Sequence, residues 1–274
     1  MVKKIEPSPL TLQRIINKSV QKYAGLPALS FVDGTPMSYS ELGLKINETA
    51  SLLRSLGLRK GDKVALLGHN MPNWVVAYFS VVSQGMVIVP ILPDFSEEEI
   101  RNVVEHSESK VLFVSERLTS RIENMEIPGL KARILLNDLS LAFGEQQIVS
   151  EKVSSDVVEE VKEDDLAAII YTSGTTGRSK GEMLTHKNIA FIAMQSYTFQ
   201  SISSADVFLS LLPLSHTYEN SIGLIYPIIY GASIYYLEKP PTASALLPAL
   251  AKIRPTMMLS VPLIMEKLYQ NQIL

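Results

Sequence analysis

The residues best suited to chemistry lie in one polar loop. This loop follows Tyr171 and reads Thr172-Ser173-Gly174-Thr175-Thr176-Gly177-Arg178-Ser179-Lys180-Gly181. Its glycines let successive backbone N–H groups point at one anion, its hydroxyl groups add donors, and Lys180 adds a positive charge. This composition suits a polyphosphate. The spacing matches neither a Walker A loop nor the dinucleotide-binding fingerprint, and on composition alone an ordinary surface loop is the simpler interpretation.

Short apolar runs alternate with longer helical segments ahead of this loop. The pattern predicts strands at residues 63–68, 86–90 and 110–115, and helices at 72–84 and 96–107. Ser96 followed three residues later by Glu99 predicts a capping box at the start of the second helix. Such alternation is typical of an α/β fold with mostly parallel sheets and helices packed on them.

The pattern weakens between residues 124 and 163, where turn formers and an acidic stretch predominate. We predict an internal boundary there, with one α/β region at residues 1–163 and a second at 164–274. The second region should contain strands at 166–171, 207–212 and 232–237, a helix from His186 capped by Thr185, and a helix at 218–230.

Composition excludes several classes of protein. The 274 residues are 46% hydrophobic and 19% charged, with a net charge of -3, which fits neither a disordered chain nor a basic nucleic-acid-binding protein. Cysteine is absent, so disulfides, thiolate nucleophiles and cysteine-bound metals are excluded. Early prolines argue against an export signal, and turn formers interrupt the uncharged stretches 64–93 and 220–237, so neither should span a membrane. These features predict a cytoplasmic protein.

The order of residues in the polar loop resembles the signature T-S-G-T-T-G-x-P-K-G of the acyl- and aryl-adenylate-forming superfamily. Residues 172–181 match it with one departure, Ser179 in the proline position. Segments that serve the scaffold are also similar to the family: 39–42, 61–65, 70–74 and 85–90. Downstream, residues 212–219 and 261–269 resemble L-P-L-x-H-x-x-E and V-P-x-x-x-E-K-[IL]-Y of long-chain acyl-CoA synthetases.

The resemblance implies the layered α/β subdomains of an ATP-dependent fatty acid–CoA ligase. Members of this superfamily join a carboxylate to the α-phosphate of ATP and release pyrophosphate, and the fatty acid–CoA ligases among them then pass the acyl group to CoA. The implied small molecules are therefore a fatty acid, ATP with Mg²⁺, and CoA as co-substrate, without a further metal site. An aryl acid or another carboxylic acid is the alternative substrate within the family.

The resemblance also assigns roles to individual residues. Lys180 and His216 are assigned to catalysis. The phosphates of ATP are assigned to Thr172, Ser173, Gly174, Thr175, Thr176, Gly177 and Lys180. His216 would lie near the substrate carboxylate or shape the entrance for the acyl chain, and Glu219, one turn further, would orient it. Without the resemblance, Lys180 is an ordinary surface lysine and His216 is more simply a structural histidine.

Two residues near the predicted phosphate site depart from the family pattern. Ser179 frees a backbone position that proline would restrict. Glu182 shares a strand face with Lys180, so its charge should either weaken ATP binding or pair with Arg178 or Lys180.

The later family motifs, which contact adenine, ribose and magnesium and build the C-terminal lid domain, do not occur in residues 1–274. We therefore expect the chain to be the N-terminal portion of such an enzyme and to be inactive alone. One alternative is a split enzyme whose partner chain carries the missing part. Another is a non-catalytic assembly module whose exposed sheet edge pairs with a different protein. Apolar surface exposed on an unfinished domain would favour homo-oligomers. We expect no nucleic-acid partner. The sequence allows peripheral attachment to a membrane as an alternative to a purely cytoplasmic location.

Overall fold

The computed structural model describes residues 10–144, 159–172 and 180–273. The helices are α1 Leu12–Lys22, α2 Tyr39–Ser55, α3 Pro72–Val82, α4 Glu97–His106, α5 His186–Gln195, α6 Tyr226–Tyr230, α7 Ala243–Ile253 and α8 Pro262–Ile273. The strands are β1 Pro27–Phe31, β2 Met37–Ser38, β3 Lys63–Leu67, β4 Val87–Ile91, β5 Val111–Val114, β6 Ala132–Leu135, β7 Leu141–Gly144, β8 Leu166–Thr172, β9 Lys180–Thr185, β10 Val207–Ser210, β11 Ser233–Tyr236 and β12 Met257–Met258. Two 3₁₀ turns, Glu116–Arg121 and Ser196–Thr198, and a π-helix, Glu219–Ile225, complete the described elements.

The strands form two mostly parallel sheets. A seven-stranded sheet has the order β7-β6-β5-β3-β4-β8-β9, with antiparallel pairs only at its two edges. A five-stranded sheet has the order β12-β10-β11-β1-β2 and is parallel except for β1 and β2. This architecture confirms the predicted α/β fold with mostly parallel sheets.

Each sheet takes strands from both sides of residues 163 and 164, where the sequence predicts a boundary. The hairpin β8–β9 extends the sheet that begins with β3, and β1 extends the sheet that contains β10 and β11. Strand pairing is decided by which apolar faces meet in three dimensions, so the two sheets do not follow the chain order of the two predicted regions.

Helix α3 lies in the main core and contacts strands of both sheets, namely β3, β4 and β1. Every residue from Trp74 to Val82 is buried. A helix enclosed on all sides needs apolar residues around its whole circumference, which accounts for the uncharged stretch at 64–93. No helix within the described ranges has the length and apolar character to cross a membrane.

Local signals at two helix starts are confirmed. The Ser96 Oγ accepts from the Glu99 N–H at 3.3 Å, while the Glu99 carboxylate accepts from the Ser96 N–H at 2.8 Å. Thr185 caps α5 in the same reciprocal way, with Asn188 as its partner. Such caps depend on residues three positions apart, so the sequence alone identifies them.

The helix predicted at 218–230 is not a regular α-helix. Its first part is the π-helix, and only Tyr226–Tyr230 is α-helical. The periodicity of apolar residues does not distinguish these two kinds of turn over so short a segment, whereas π-turns are frequent at functional sites.

His186, the first residue of α5, joins that helix to α1. Its ring is fully buried, and Nδ1 accepts a hydrogen bond from the backbone N–H of Leu12 at 3.2 Å. Burial lowers the pKa of His186 to about 4, so the ring stays neutral at physiological pH. The contact holds the end of the β8–β9 hairpin against the N-terminal helix.

Candidate active site

The predicted phosphate loop connects two antiparallel strands. Thr172 at the end of β8 pairs with Lys180 at the start of β9. Between them, Ser173, Gly174, Thr175, Thr176 and Gly177 lie outside the described residues, as do Arg178 and Ser179. The register therefore brings together the two described residues of the predicted phosphate site.

Both charged residues of β9 face solvent. Lys180 and Glu182 are exposed and lie two positions apart in the strand, so they share a face as predicted. Neither forms an ion pair with any residue in the described part of the chain. Within the described residues, the ammonium group of Lys180 is therefore exposed and not paired with a carboxylate.

Tyr171 anchors the hairpin just before the loop begins. Its ring is 4% exposed, and a hydrogen bond of 2.7 Å joins its hydroxyl group to Nδ1 of His106 at the end of α4. Across the hairpin, Gly181 pairs with Tyr171, and a Cβ at this glycine would lie 2.8 Å from Cγ2 of Ile169 and 3.1 Å from the tyrosine ring. Gly181 thus allows the tyrosine to pack across the strand pair, whereas the sequence indicated only that it belongs to the loop.

Replacing Tyr171 with phenylalanine should lower the free energy of unfolding by about 1 kcal/mol, because it removes the hydrogen bond to His106 but keeps the ring. Urea denaturation of the whole chain measures this loss. The matched control is Tyr218→Phe, which removes an exposed hydroxyl that has no hydrogen bond within the described residues and should change the stability much less. Equal losses in the two variants would contradict the anchoring role.

His216 lies in the segment that connects β10 to the π-helix, and its side chain is exposed. Its backbone N–H donates to the carbonyl of Pro213 at 2.9 Å, and its Nδ1 accepts from the N–H of Tyr218 at 3.3 Å. A neutral ring that accepts at Nδ1 carries its proton on Nε2. The second ring nitrogen can therefore donate a hydrogen bond to a carboxylate or a phosphate oxygen.

Glu219 is buried and points away from the solvent that His216 faces. It is 1% exposed, and its Oε1 accepts from the hydroxyl of Ser210 at 2.6 Å. Its Oε2 has no hydrogen-bond partner within the described ranges. The observed partner of Glu219 is thus Ser210 rather than His216, so the predicted orienting role has no direct contact to support it.

The surroundings of Glu219 favour its neutral form. Burial raises its pKa to about 8, and the single hydrogen bond from Ser210 opposes this only in part. The carboxyl group packs against Gly223, where a Cβ would lie 2.6 Å from Oε1. Only a glycine at position 223, one turn after Glu219, leaves space for the carboxyl group inside the π-helix.

Asn70, which the sequence indicated only as part of a scaffold loop, makes three hydrogen bonds in this site. Its Nδ2 donates to the hydroxyl of Ser210 at 3.0 Å and to the carbonyl of Leu212 at 2.7 Å, and its Oδ1 accepts from the N–H of Leu214 at 2.9 Å. Asn70 follows β3 in one sheet and Ser210 ends β10 in the other. No local pattern marks this contact between residues 140 positions apart.

A cavity of about 330 Å³ lies beside the His216 segment. Its lining is mostly apolar and comes from β9, α5, the end of the His216 segment and the π-helix: Leu184, Asn188, Ile189, Ile192, Thr217, Tyr218, Ser221 and Ile222. The volume is within the usual range for small-molecule pockets. The strand that begins with Lys180 and the segment that carries His216 therefore border the same cavity.

Comparison with known proteins identifies CoA ligases among the relatives of this chain. A family model described as AMP-binding enzyme matches residues 16–273. The long-chain-fatty-acid–CoA ligase heimdall of Drosophila melanogaster is 29% identical over 96% of this chain and 43% of its own length. The crotonobetaine/carnitine–CoA ligase of Escherichia fergusonii is 30% identical over 84% of this chain and 46% of its own length.

A solved structure shares the fold. The anthranilate CoA ligase AuaEII in complex with anthranoyl-AMP superposes with a TM-score of 0.81 at 23% identity, over 92% of this chain and 49% of that one. The chain spans less than half of the length of these three proteins and corresponds to their N-terminal portion. Because the family model matches nearly the whole sequence, the chain belongs to the AMP-binding enzyme family.

Proposed function

We propose that this chain is the N-terminal part of an ATP-dependent fatty acid–CoA ligase. The observation that carries the proposal is the apolar cavity between β9, which begins at the predicted phosphate loop, and the segment that holds His216. A hydrocarbon tail in this cavity would lie beside both the phosphate-binding strand and a hydrogen-bond donor for its carboxylate. The substrates are a fatty acid, ATP with Mg²⁺, and CoA.

The chemistry needs alignment and charge dispersal rather than a protein nucleophile. In the first step, a carboxylate oxygen attacks the α-phosphorus of ATP, the bond from this phosphorus to the oxygen of the β-phosphate breaks, and pyrophosphate leaves. In the second step, the CoA thiol attacks the acyl carbonyl and AMP leaves. The loop from Thr172 to Lys180 would hold the β- and γ-phosphates with backbone amides, hydroxyl groups and the lysine charge. His216 would donate from Nε2 to the carboxylate and hold it in line with the phosphorus.

The direct experiment is an assay of thioester formation from palmitate, ATP and CoA. We expect negligible activity from residues 1–274 alone, because the adenine, ribose and lid motifs of the family do not occur in them. Activity should appear in a longer form of the protein or after addition of a polypeptide that carries those motifs. Efficient thioester formation by the isolated chain would disprove the need for a further part, and activity in no combination would disprove the ligase function.

The identity of the acid is a second part of the proposal. The apolar lining favours an alkyl chain, whereas an aryl acid such as anthranilate would gain less from eight mostly apolar positions. Replacing Ser221 with phenylalanine should fill part of the cavity and weaken binding of a fluorescent C16 acid about 10-fold or more. Ser201→Phe, at an exposed position outside the cavity lining, is the control and should leave the affinity unchanged.

A non-catalytic assembly function is the second candidate, and one surface favours it. The edge strand β9 exposes Met183, helix α5 exposes Phe191 and Ile192, and the turn after residues 196–198 exposes Phe199, which is 90% exposed. A partner chain with the missing family motifs, or a second copy of this chain, would cover such a surface. Activity restored by a co-purified partner would support the split enzyme, and stable binding to unrelated proteins without activity would support the assembly module. In either case we propose a cytoplasmic location, with peripheral contact to a membrane left to fractionation experiments.

A further inference from the structure

We propose that Asn70 is the positioning residue for His216. Two of its hydrogen bonds tie the segment between β10 and the π-helix to the carboxyl end of β3, and the third reaches Ser210 at the end of β10. This clamp sets where His216 stands relative to the carboxyl end of β3. The effect on catalysis rests on the proposed function, whereas the effect on the conformation of the segment does not.

The clamp acts close to His216. Asn70 donates to the carbonyl of Leu212 and accepts from the amide of Leu214. The amide of His216 donates to the carbonyl of Pro213, which lies between those two leucines. Leu214 is fully buried, and the Asn70 side chain that accepts from its amide is half-buried. The exposed histidine therefore stands two residues beyond a fixed backbone position.

A second chain of contacts supports the same segment from the other side. The Asn220 side chain donates to the carbonyl of Leu214 at 3.3 Å and accepts from the hydroxyl of the buried Tyr78 at 3.1 Å. Both Asn70 and Tyr78 belong to the stretch from the end of β3 through α3. The buried helix α3 and the residues just before it thus both contribute to positioning the segment.

The amide side chain is matched to its three partners. Ser210 donates its hydroxyl proton to Glu219, so it must accept from Asn70, and the Leu212 carbonyl also requires a donor. The Leu214 amide requires an acceptor. An asparagine supplies two donors and one acceptor in one plane, whereas aspartate would keep only the acceptor and alanine none.

Asn73 is a matched control within the same chain. It lies three residues further, and its Nδ2 also donates to two backbone carbonyls, those of Leu136 at 2.8 Å and Asn137 at 2.9 Å. Those carbonyls follow β6, in the same sheet as β3, and do not belong to the His216 segment. Asn73→Ala therefore removes a similar number of hydrogen bonds at a similar position without releasing the clamp.

Hydrogen exchange on the whole chain tests the conformational part. In Asn70→Ala, the amides of residues 214–218 should exchange about 10-fold faster than in the wild type, and the imidazole NMR signal of His216 should shift. Asn73→Ala should change neither. Asn70→Asp retains the acceptor, so the Leu214 amide should keep more protection than in Asn70→Ala. Faster exchange spread evenly over the chain, or equal effects of the two alanine variants, would overturn the proposal.

An activity measurement tests the catalytic consequence in whichever form of the enzyme forms thioester. Asn70→Ala should lower kcat about 10-fold while the KM for ATP changes little, since a displaced histidine affects the reacting carboxylate rather than phosphate binding. Asn73→Ala should retain the wild-type kcat. If no form of the protein is a ligase, the exchange experiment still decides the positioning role, so the failure of the clamp and the failure of the proposed function are distinguishable.

Discussion

Replacing Glu219 with glutamine should stabilise the folded chain by about 3 kcal/mol at pH 7 and remove much of its sensitivity to alkaline pH. Burial raises the pKa of this carboxyl group from its ordinary 4.5 to about 8. At pH values between 4.5 and about 8, the Glu219 carboxyl group has lost its proton in the unfolded chain but keeps it in the folded chain. Stability from this group is therefore complete below pH 4.5 and falls as the pH rises towards 8.

Glutamine avoids this loss because its amide does not ionise. Its carbonyl oxygen can still accept from the hydroxyl of Ser210, and its size matches the space left by Gly223. Urea denaturation between pH 5 and 8.5 measures the effect: the wild-type free energy of unfolding should fall with pH, and the curve of the variant should be much flatter.

Glu182→Gln is the control for the pH dependence, because it removes the charge of an exposed glutamate in β9 and should leave the slope unchanged. A Glu219→Gln variant that is less stable than the wild type at pH 7, with the same slope, would show that the carboxyl group is ionised in the folded chain. Ligase activity in the variant would further separate a structural role of Glu219 from a catalytic one.

Lys180→Ala should weaken the binding of ATP about 10- to 100-fold, the range expected for loss of a hydrogen bond to a charged group. Lys180 is exposed, has no ion-pair partner within the described residues, and pairs with Thr172 across the β8–β9 hairpin. Calorimetric titration of the chain with ATP and Mg²⁺ measures the change. If the lysine contacts the β- and γ-phosphates, the affinity for AMP should fall far less than that for ATP.

Two further variants give the Lys180 experiment its controls. Lys239→Ala removes an exposed lysine far along the chain from the loop and should leave the affinity for ATP unchanged. Glu182→Gln removes a negative charge from the face that Lys180 shares and should strengthen binding slightly, about 2- to 5-fold, as expected for an exposed charge. Wild-type affinity in Lys180→Ala would remove this lysine from the phosphate site.

Much of the local structure follows from the sequence because its causes are local. The capping box of Ser96 and Glu99 involves two residues three positions apart, and the strand before the polar loop follows from the short apolar run at residues 166–171. The loop itself, from Thr172 to Lys180, is identified by the order of its residues. The family membership therefore followed from the sequence before any packing was known.

The environment of each site residue was decided only by the tertiary structure. The sequence placed Glu219 one turn from His216, but the π-helix and Gly223 bury its carboxyl group against Ser210. Asn70 reaches Ser210 across 140 positions because β3 and β10 belong to two sheets that pack on the same core helix. The sequence alone determined the fold class and predicted the phosphate loop, since both depend on neighbours along the chain. The charge of Glu219 and the clamp at His216 depend on burial and on contacts between distant segments, which exist only once the two sheets have packed together.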